Sequence, residues 1–178
     1  INADLFGDKA SSAMVVHYDY TVLAGTQGSR NHYKTDRLFE LALRFRMPLV
    51  LFSEGGGGRP GDDDLGPGVS FDTHTFTQFA KLSGAVPMIG INHGRCFAGN
   101  TVLLACCDVI IATKDSTIGM GGPAMIEGGG LGVYTPEEVG PMSFQVPNGV
   151  VDILVDDEAE AVAVAKKYLS YFQGTLNE

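Results

Sequence analysis

Two glycine-rich turns carry the residues of this sequence that could do chemistry. In the first glycine turn, FSEGGGGRP at residues 52–60, an apolar run leads into four consecutive glycines. In the second glycine turn, HGRCFAGN at residues 93–100, an apolar run passes through Gly94 into a predicted helix whose first turn contains Gly99. Successive glycine amides can form a concave anion-binding nest, and unpaired amides at a helix amino end stabilise a negative oxygen. We therefore predict an oxyanion site built from backbone N–H groups.

The same residues argue against nucleotide and metal chemistry. No Gly-Lys-Ser/Thr sequence follows the first glycine turn, as a phosphate-binding P-loop requires, and a polar loop replaces the helix of a dinucleotide-binding turn. The cysteines Cys96, Cys106 and Cys107 have no C-x-x-C spacing and no nearby His or Asp cluster to complete a metal tetrahedron. We predict that Cys106 and Cys107 are small core residues and that the chain holds no metal.

The composition indicates one globular domain without a nucleic-acid or membrane role. A length of 178 residues suits one domain, and 44% hydrophobic residues are enough for a core. The formal net charge of −9 argues against a nucleic-acid surface, which needs clustered Lys and Arg. No apolar run approaches the roughly 20 residues of a membrane span, and INADLFGDKA lacks the features of an export signal. We expect a cytoplasmic protein, and the start at Ile1 suggests a piece of a longer chain.

Apolar segments and helical periodicity alternate along the chain. The predicted strands span 13–25, 48–54, 85–94, 108–113 and 148–155, and the predicted helices follow GTQGSRN up to Pro48 and span 70–83, 97–108 and 157–173. The acidic stretch 58–68 is predicted to be a surface loop. Alternating strands and helices imply a largely parallel sheet, in which ligands bind at the carboxyl ends of the strands. Both glycine turns follow predicted strands, so we expect them at that edge.

Four segments of the chain resemble, in order, one known family. FSEGGGGRPG, GRCFAGNTVLLACCDVIIAT, STIGMGGPAMIEGGGLG and PNGVVDILV are similar to the amino-terminal half of the carboxyltransferase component of biotin-dependent acyl-CoA carboxylases, within the crotonase-like superfamily. The likeness runs from about residue 13 to 173 and is strongest to the single-chain long-chain acyl-CoA carboxylases. It implies an α/β fold, a crotonase/ClpP-like spiral of β-β-α units, with residues 1–178 forming one amino-terminal-type domain of a longer chain.

The resemblance also implies a reaction. A carboxyl group would pass from carboxybiotin to the α-carbon of an acyl-CoA through an enolate, whose oxygen backbone amides would hold. The candidate donors carried over by motif are Gly99 and Asn100, with help from Gly56, Gly57 and Gly58. Many relatives have a second glycine followed by alanine where this chain has Asn100 and Thr101, so we expect a more crowded helix start.

Basic residues near the turns are candidates for the phosphates of CoA. They are Arg30, Lys34, Arg37, Arg59 and Arg95. Lys34 and Arg37 lie one turn apart near a helix amino end, and Arg59 and Arg95 flank the two glycine turns. The alternatives are solvated surface cations for the first three and loop-fixing residues for the last two.

The resemblance places further partners outside these residues. The complete active site needs a second, homologous carboxyltransferase domain for the biotin side, and nothing in this sequence repeats the motif set. No Met-Lys dipeptide occurs, so biotin must be carried on another segment, and biotin carrier and biotin carboxylase domains are expected partners. We expect the isolated chain to be inactive and the full-length protein to form homo-oligomers.

Other functions fit parts of the pattern. One is a non-catalytic CoA-binding or assembly domain. A crotonase-type hydratase or isomerase normally has glutamates where this chain has Val102 and Met120. A ClpP-like serine peptidase needs a nucleophilic serine where Asn100 and Thr101 stand. His93, beside the second glycine turn, is expected either to orient a carbonyl or to be a hydrogen-bonded structural residue.

Overall fold

A computed structural model describes residues 1–59, 61 and 74–174. The strands in these ranges are β1 (Met14–His17), β2 (Leu49–Phe52), β3 (Met88–Asn92), β4 (Arg95–Phe97), β5 (Val109–Thr113), β6 (Thr117–Gly119) and β7 (Ile153–Val155). The helices are α1 (Ala3–Phe6), α2 (Ser29–Phe45), α3 (Thr75–Ala80), α4 (Gly99–Ala105), α5 (Pro123–Gly128), α6 (Met142–Gln145) and α7 (Glu158–Ser170). Short 3₁₀ turns lie at Asp8–Ala10, Leu23–Gly25 and Pro136–Glu138. None of the described helices is long and apolar enough to cross a membrane.

The main sheet contains five parallel strands in the order β1-β2-β3-β5-β7. Leu51 of β2 pairs with Gly90 of β3, and Ile91 of β3 pairs with Ile111 of β5. Every residue of β3 and β5 is buried. Helices cover both faces of such a sheet, which is why its strands are continuous apolar runs rather than alternating ones. The predicted α/β architecture with a parallel sheet is confirmed.

Two hydrophobic cores hold the helices against the two faces of the sheet. In the first core, Phe39 of α2 and Phe79 of α3 meet edge to face with ring centroids 4.8 Å apart, and Leu103 of α4 joins the same cluster. In the second core, the buried side chains of α7 are Ala161, Ala165 and Leu169, which pack against strands β2, β3, β5 and β7. Full burial of one large apolar side chain is worth about 1.5–3 kcal/mol, so these clusters anchor the strand ends that lead into the turns.

A second, smaller layer follows the main sheet. Strands β4 and β6 pair in parallel, and bridges from Gln27 to Gly58 and from Gly55 to Cys96 extend this layer to the first glycine turn. Along the chain, β3 of the main sheet is followed by β4 and α4, and β5 is followed by β6 and α5. Each unit therefore has the β-β-α order that the prediction requires.

Several element boundaries differ from the predictions. Strand β1 covers only residues 14–17 of the predicted 13–25, because Asp19 Oδ1 accepts the N–H of Thr21 at 2.9 Å and starts a turn. The short strands β4 and β6 were not predicted, and β7 is shorter than the predicted 148–155. The predicted helix 70–83 is observed over Thr75–Ala80, and its first residues, like most of the predicted acidic loop, lie outside the described residues.

At the amino edge of the sheet, the carboxylates of two aspartates accept hydrogen bonds from strand N–H groups. Asp108 donates its N–H to Met88 O and accepts the Met88 N–H on Oδ2, both at 2.8 Å. Asp152 repeats the arrangement with Ile110, at 3.0 Å and 2.7 Å. Each carboxylate thus supplies an acceptor to a strand N–H that the neighbouring strand does not reach, and both β-β-α units begin from a fixed position.

We expect Asp152→Ala to lower the free energy of unfolding by about 1.5 kcal/mol, because Ile110 N–H loses a charged acceptor. The matched control is Asp156→Ala, whose exposed carboxylate lies 3.5 Å from Lys114 Nζ and whose loss should cost less than about 0.5 kcal/mol. Urea unfolding measures both variants. Equal costs would contradict a special role for Asp152.

Candidate functional site

The two glycine turns lie side by side at the carboxyl edge of the main sheet. Strand β2 ends at Phe52 and its neighbour β3 ends at Asn92, so the turns leave adjacent strands. Gly55 N–H donates to Arg95 O at 2.8 Å, and Phe97 N–H donates to Gly55 O at 2.9 Å. The first glycine turn is therefore bonded directly to β4, which leads into α4.

Gly57 is where the first turn comes closest to the amino end of α4. Its φ is +84°, which favours glycine, and a Cβ at this position would lie 2.5 Å from Ala98 Cβ and 3.1 Å from Gly99 N. A side chain there would overlap a backbone-attached methyl group and cover the first amide of the helix. The absence of a side chain at residue 57 keeps that amide accessible.

Asn100 fills the interior between the two turns with its side chain. It is fully buried, its Oδ1 accepts the Gly57 N–H at 3.0 Å, and its Nδ2 donates to Ser53 O at 3.2 Å. A Cβ on Gly55 would overlap the Asn100 side-chain amide. The sequence predicts a role only for the main-chain N–H of Asn100. The side chain does not crowd the start of α4, because it occupies the space that a side chain at residue 55 would fill.

The hydrogen bonds separate the predicted amide donors into two groups. The N–H groups of Gly56 and Gly57 already donate inside the protein, to Ala24 O at 2.9 Å and to Asn100 Oδ1. The N–H groups of Gly58, Gly99 and Asn100 have no acceptor among the described residues. Those of Gly99 and Asn100 belong to the first turn of α4, where amides have no partner within the helix. None of these three amides would have to break an existing bond to receive an anion, but Asn100 is fully buried, so only the amides of Gly58 and Gly99 are accessible.

Ala98 has a positive φ at the point where the second glycine turn enters α4. Its φ of 50° and ψ of −119° are rarely adopted by a residue with a side chain, and such strain costs on the order of 1–3 kcal/mol. Ala98 N–H donates to Gly119 O at 3.2 Å, and Thr101 Oγ1 lies 2.9 Å from the same oxygen. These bonds to β6 hold the strained residue in place. An alanine in a left-handed conformation has no sequence signature, so the prediction missed it.

Three of the five predicted cations share one cleft beside the first glycine turn. This cationic cleft, defined by Arg30, Lys34 and Arg59, has a volume of about 350 Å³. Arg59 is held in it by Thr26, with Nε 3.2 Å from Oγ1 and Nη2 3.0 Å from the carbonyl oxygen. Tyr18 also lines the cleft. The lining also includes the carboxylate of Asp19, so the three cations leave an excess of positive charge at the end of β1 and the start of α2.

The other two predicted cations lie elsewhere. Arg37 pairs with Glu40 at 3.3 Å and lines a separate depression. Arg95 is bound by Glu137, with Nε 3.0 Å from Oε1, and lies 3.5 Å from Tyr20 Oη. In these positions Arg95 joins β4 to the 3₁₀ turn Pro136–Glu138, which corresponds to the loop-fixing alternative for this residue.

Gln27 connects the cationic cleft to the amides, and sequence reasoning missed it. Its backbone pairs with the first turn: Gln27 N–H donates to Gly57 O at 2.6 Å, and Gln27 O accepts the Arg59 N–H at 2.9 Å. Its buried side chain donates to Tyr18 Oη at 3.2 Å, and a Cβ on Gly99 would lie 2.6 Å from its Oε1. Burial raises the pKa of Tyr18, so this hydroxyl stays protonated. Gln27 therefore contacts Tyr18 and Arg59, which line the cleft, as well as the first turn and Gly99 of α4.

The remaining polar candidates have structural partners. His93 Nε2 lies 3.2 Å from Glu54 Oε2, and the ring meets Phe52 edge to face. Burial raises the pKa of Cys96 to about 11, and Cys107 packs against the first core. These thiols are protonated at neutral pH, which agrees with the predicted packing role of Cys107 and gives no support to redox chemistry.

A family model described as the carboxyl transferase domain matches residues 10–178. The chain belongs to this family. It is 33% identical over 157 residues to the methylmalonyl-CoA carboxyltransferase 12S subunit of Propionibacterium freudenreichii subsp. shermanii, covering 86% of this chain and 29% of that protein. It is 28% identical to the biotin-dependent 3-methylcrotonyl-coenzyme A carboxylase beta1 subunit of Mycobacterium tuberculosis, covering 89% of this chain and 31% of that protein.

A solved structure of a single-chain, multi-domain long-chain acyl-CoA carboxylase is similar over the whole chain. The identity is 61%, the TM-score is 0.92, and the match covers 100% of this chain and 18% of that one. The predicted crotonase-like fold and the resemblance to the carboxyltransferase family are confirmed. The chain spans less than a third of each of these three proteins. This carboxyl transferase domain therefore corresponds to one part of its longer relatives.

The steric role of Gly57 can be separated from that of Gly58. We expect Gly57→Ala to lower the free energy of unfolding by about 3 kcal/mol, because it combines a left-handed backbone with a clash against Ala98. Gly58→Ala is the matched control, since a Cβ there meets nothing within 4 Å, and it should change stability by less than about 1 kcal/mol. Denaturant unfolding compares the two, and similar midpoints would exclude the close approach at residue 57.

The Arg95–Glu137 pair should give the domain a pH-dependent stability term. The hydrogen bond from Arg95 lowers the pKa of Glu137, so its stabilising effect is present above the unfolded pKa of about 4.3 and is lost as pH falls through the lower folded pKa. The difference in Tm between the wild type and Glu137→Gln should be positive at pH 7 and vanish as the pH falls below about 4.

The control for this pH effect is the same substitution in an Arg95→Met background. Without the guanidinium, the pH dependence of the Glu137→Gln effect should become much smaller, because only the weaker backbone hydrogen bond of Glu137 still lowers its pKa. An undiminished pH-dependent difference in that background would show that Arg95 is not the main cause of the lowered pKa of Glu137.

Proposed function

We propose that this chain is the acyl-CoA-binding half of a biotin-dependent carboxyltransferase, in which backbone amides stabilise the enolate of the acyl thioester. The observation that carries the proposal is the position of Gln27. Through this residue the cationic cleft adjoins the accessible amides of Gly58 and Gly99. A ligand with phosphates at one end and a polarised carbonyl at the other matches both features.

The cationic cleft would hold phosphates of the CoA moiety. A chain with a formal net charge of −9 repels anions on average, so binding depends on local positive charge. Arg59 is already fixed by two contacts with Thr26, which lowers the conformational entropy it loses on binding a phosphate. Its position directly after Gly58 places the charge beside the first glycine turn. The relatives named above act, by their names, on acyl-CoA thioesters.

The accessible amides would hold the thioester oxygen. When the α-carbon loses a proton, the electrons of the C–H bond move into the new C–C double bond and negative charge develops on the carbonyl oxygen. The N–H groups of Gly58 and Gly99 can donate to that oxygen, and the dipole of α4 adds to the effect. Removing one such donor typically costs about 2.7–4 kcal/mol of barrier. The enolate carbon would then form the new C–C bond to the carboxyl group while the N–C bond that joins this group to biotin breaks. The ureido nitrogen left by that bond would take up the proton lost from the α-carbon.

Biotin would reach this site from another segment. No Met-Lys dipeptide occurs in the chain, and the residues assembled here suit a CoA thioester. When bound, the biotin group supplies the carboxyl group that is transferred. A second carboxyltransferase domain, biotin carrier and biotin carboxylase domains, and a homo-oligomer of the full-length protein belong to the same proposal, as does a cytoplasmic location. A related single-chain protein is described as multi-domain, which supports this arrangement.

Calorimetric titration of this chain with acetyl-CoA tests the proposal. We expect saturable binding, and Lys34→Ala should weaken it about threefold, because one favourable contact with a phosphate is lost. S-acetylpantetheine, which lacks the nucleotide phosphates, should bind equally to the wild type and to Lys34→Ala.

The matched control is Arg44→Ala, which removes a cation at the opposite end of α2. Its affinity for acetyl-CoA should equal that of the wild type. No saturable binding at millimolar acetyl-CoA, or equal losses for Lys34→Ala and Arg44→Ala, would contradict the assigned phosphate site. Saturable binding without carboxylation, when the missing domains are supplied, would favour the non-catalytic CoA-binding alternative.

A further inference from the structure

The side chain of Asn100, in the second glycine turn, forms hydrogen bonds to the backbone of the first glycine turn. Its Oδ1 and Nδ2 contact Gly57 N–H and Ser53 O, which lie four residues apart on either side of the turn. Because the side chain is fully buried, neither bond competes with water. An asparagine meets this need for one acceptor and one donor, whereas aspartate lacks the donor and leucine lacks both.

This contact and the backbone of Gln27 together determine which way the amides of the first glycine turn point. Asn100 directs the Gly57 N–H into the interior, and the Gln27 backbone binds the Gly57 carbonyl and the Arg59 N–H on the other side. Since each peptide unit is planar, these fixed groups leave the Gly58 N–H pointing away from Gln27, on an exposed residue. Without the Asn100 side chain, the peptide between Gly56 and Gly57 loses its inward anchor in a segment of high backbone freedom.

We propose that Asn100 is a positioning residue, whose side chain holds the first glycine turn so that the N–H groups of Gly58 and Gly99 point at one oxygen. The inference rests on the proposed function, in which that oxygen belongs to an acyl thioester. It assigns to Asn100 a role beyond its main-chain amide, because the side chain acts on the turn that lies 43 positions earlier in the chain.

Two ligands that differ in one oxygen test this role. Acetyl-CoA has a thioester carbonyl, and S-ethyl-CoA replaces that carbonyl with a methylene group. In the wild type, calorimetry should give about tenfold tighter binding of acetyl-CoA, which corresponds to the hydrogen bonds to the oxygen. In Asn100→Ala this preference should fall below about threefold, while the affinity for S-ethyl-CoA stays within about twofold of the wild-type value.

The matched control is Asn92→Ala, which also removes a fully buried asparagine at a strand end. Asn92 Nδ2 donates to Gly94 O at 2.8 Å, and its Oδ1 accepts from Ser53 Oγ at 3.1 Å, so its loss lowers stability without releasing Gly57. We expect Asn92→Ala to keep the tenfold preference. A general loss of stability would lower the preference in both variants, and that outcome would overturn the positioning role.

The remaining outcomes distinguish the two proposals. If the wild type binds acetyl-CoA and S-ethyl-CoA equally, the amides do not recognise the thioester oxygen and the proposed function fails. If the wild type prefers acetyl-CoA and Asn100→Ala keeps that preference, the positioning role of Asn100 alone is overturned.

Amide hydrogen exchange on the wild-type chain decides the matter even if Asn100→Ala does not fold. In the free protein, the Gly57 N–H should exchange at least about tenfold more slowly than the Gly58 N–H, because one is bound to Asn100 and the other is exposed. Saturating acetyl-CoA should slow exchange at Gly58 and Gly99, whereas S-ethyl-CoA should not. Equal exchange at Gly57 and Gly58 in the free protein would overturn the positioning role.

Discussion

The close approach of the two glycine turns is the constraint on which the rest of the site depends. Gly55 shares two backbone hydrogen bonds with β4, and Gly57 lies against the first residues of α4. These contacts involve backbone atoms or the Cβ of Ala98, so no change of rotamer could make room for a side chain at residue 57. The distance between the turns therefore excludes a side chain at residue 57, and the groups that face α4 from this position are main-chain atoms.

Local pairing, rather than the number of basic residues, determines where the surface is positive. Arg37 and Arg95 each lie against a glutamate, and the hydrogen bond to Glu137 keeps Arg95 on a loop. Lys34 and Arg59 lie together in the cationic cleft. A small group of cations on an acidic chain makes the cleft distinct from its surroundings, since most other surface charge repels a phosphate.

The sequence was sufficient to predict that the sheet is largely parallel and that both turns lie at the carboxyl ends of its strands. Hydrophobic runs followed by glycine mark strand ends, and parallel topology brings such ends together. The three-residue strands β4 and β6 were missed because they lie within glycine-rich segments that show no periodicity. The roles of Ala98 and Gln27 were missed for a different reason: each depends on contacts with residues far away in the sequence, such as Gly119 and Gly57. Local propensity carries no information about such contacts.

The same distant contacts hold the two glycine turns in place within this domain. The first glycine turn is fixed by Asn100, whose side chain is fully buried, and the start of α4 is fixed by bonds between the second turn and β6. These supports lie within this chain. Under the proposed function, the amide donors are therefore in place before any other domain arrives, and preorganised donors need no rearrangement when charge develops. Gly58, however, is exposed, and in water an amide donor stabilises an oxyanion far less than in a dry site. Under the proposed function, a second domain would therefore contribute by excluding water and presenting the carboxyl donor, whereas the shape of the oxyanion site is a property of this domain.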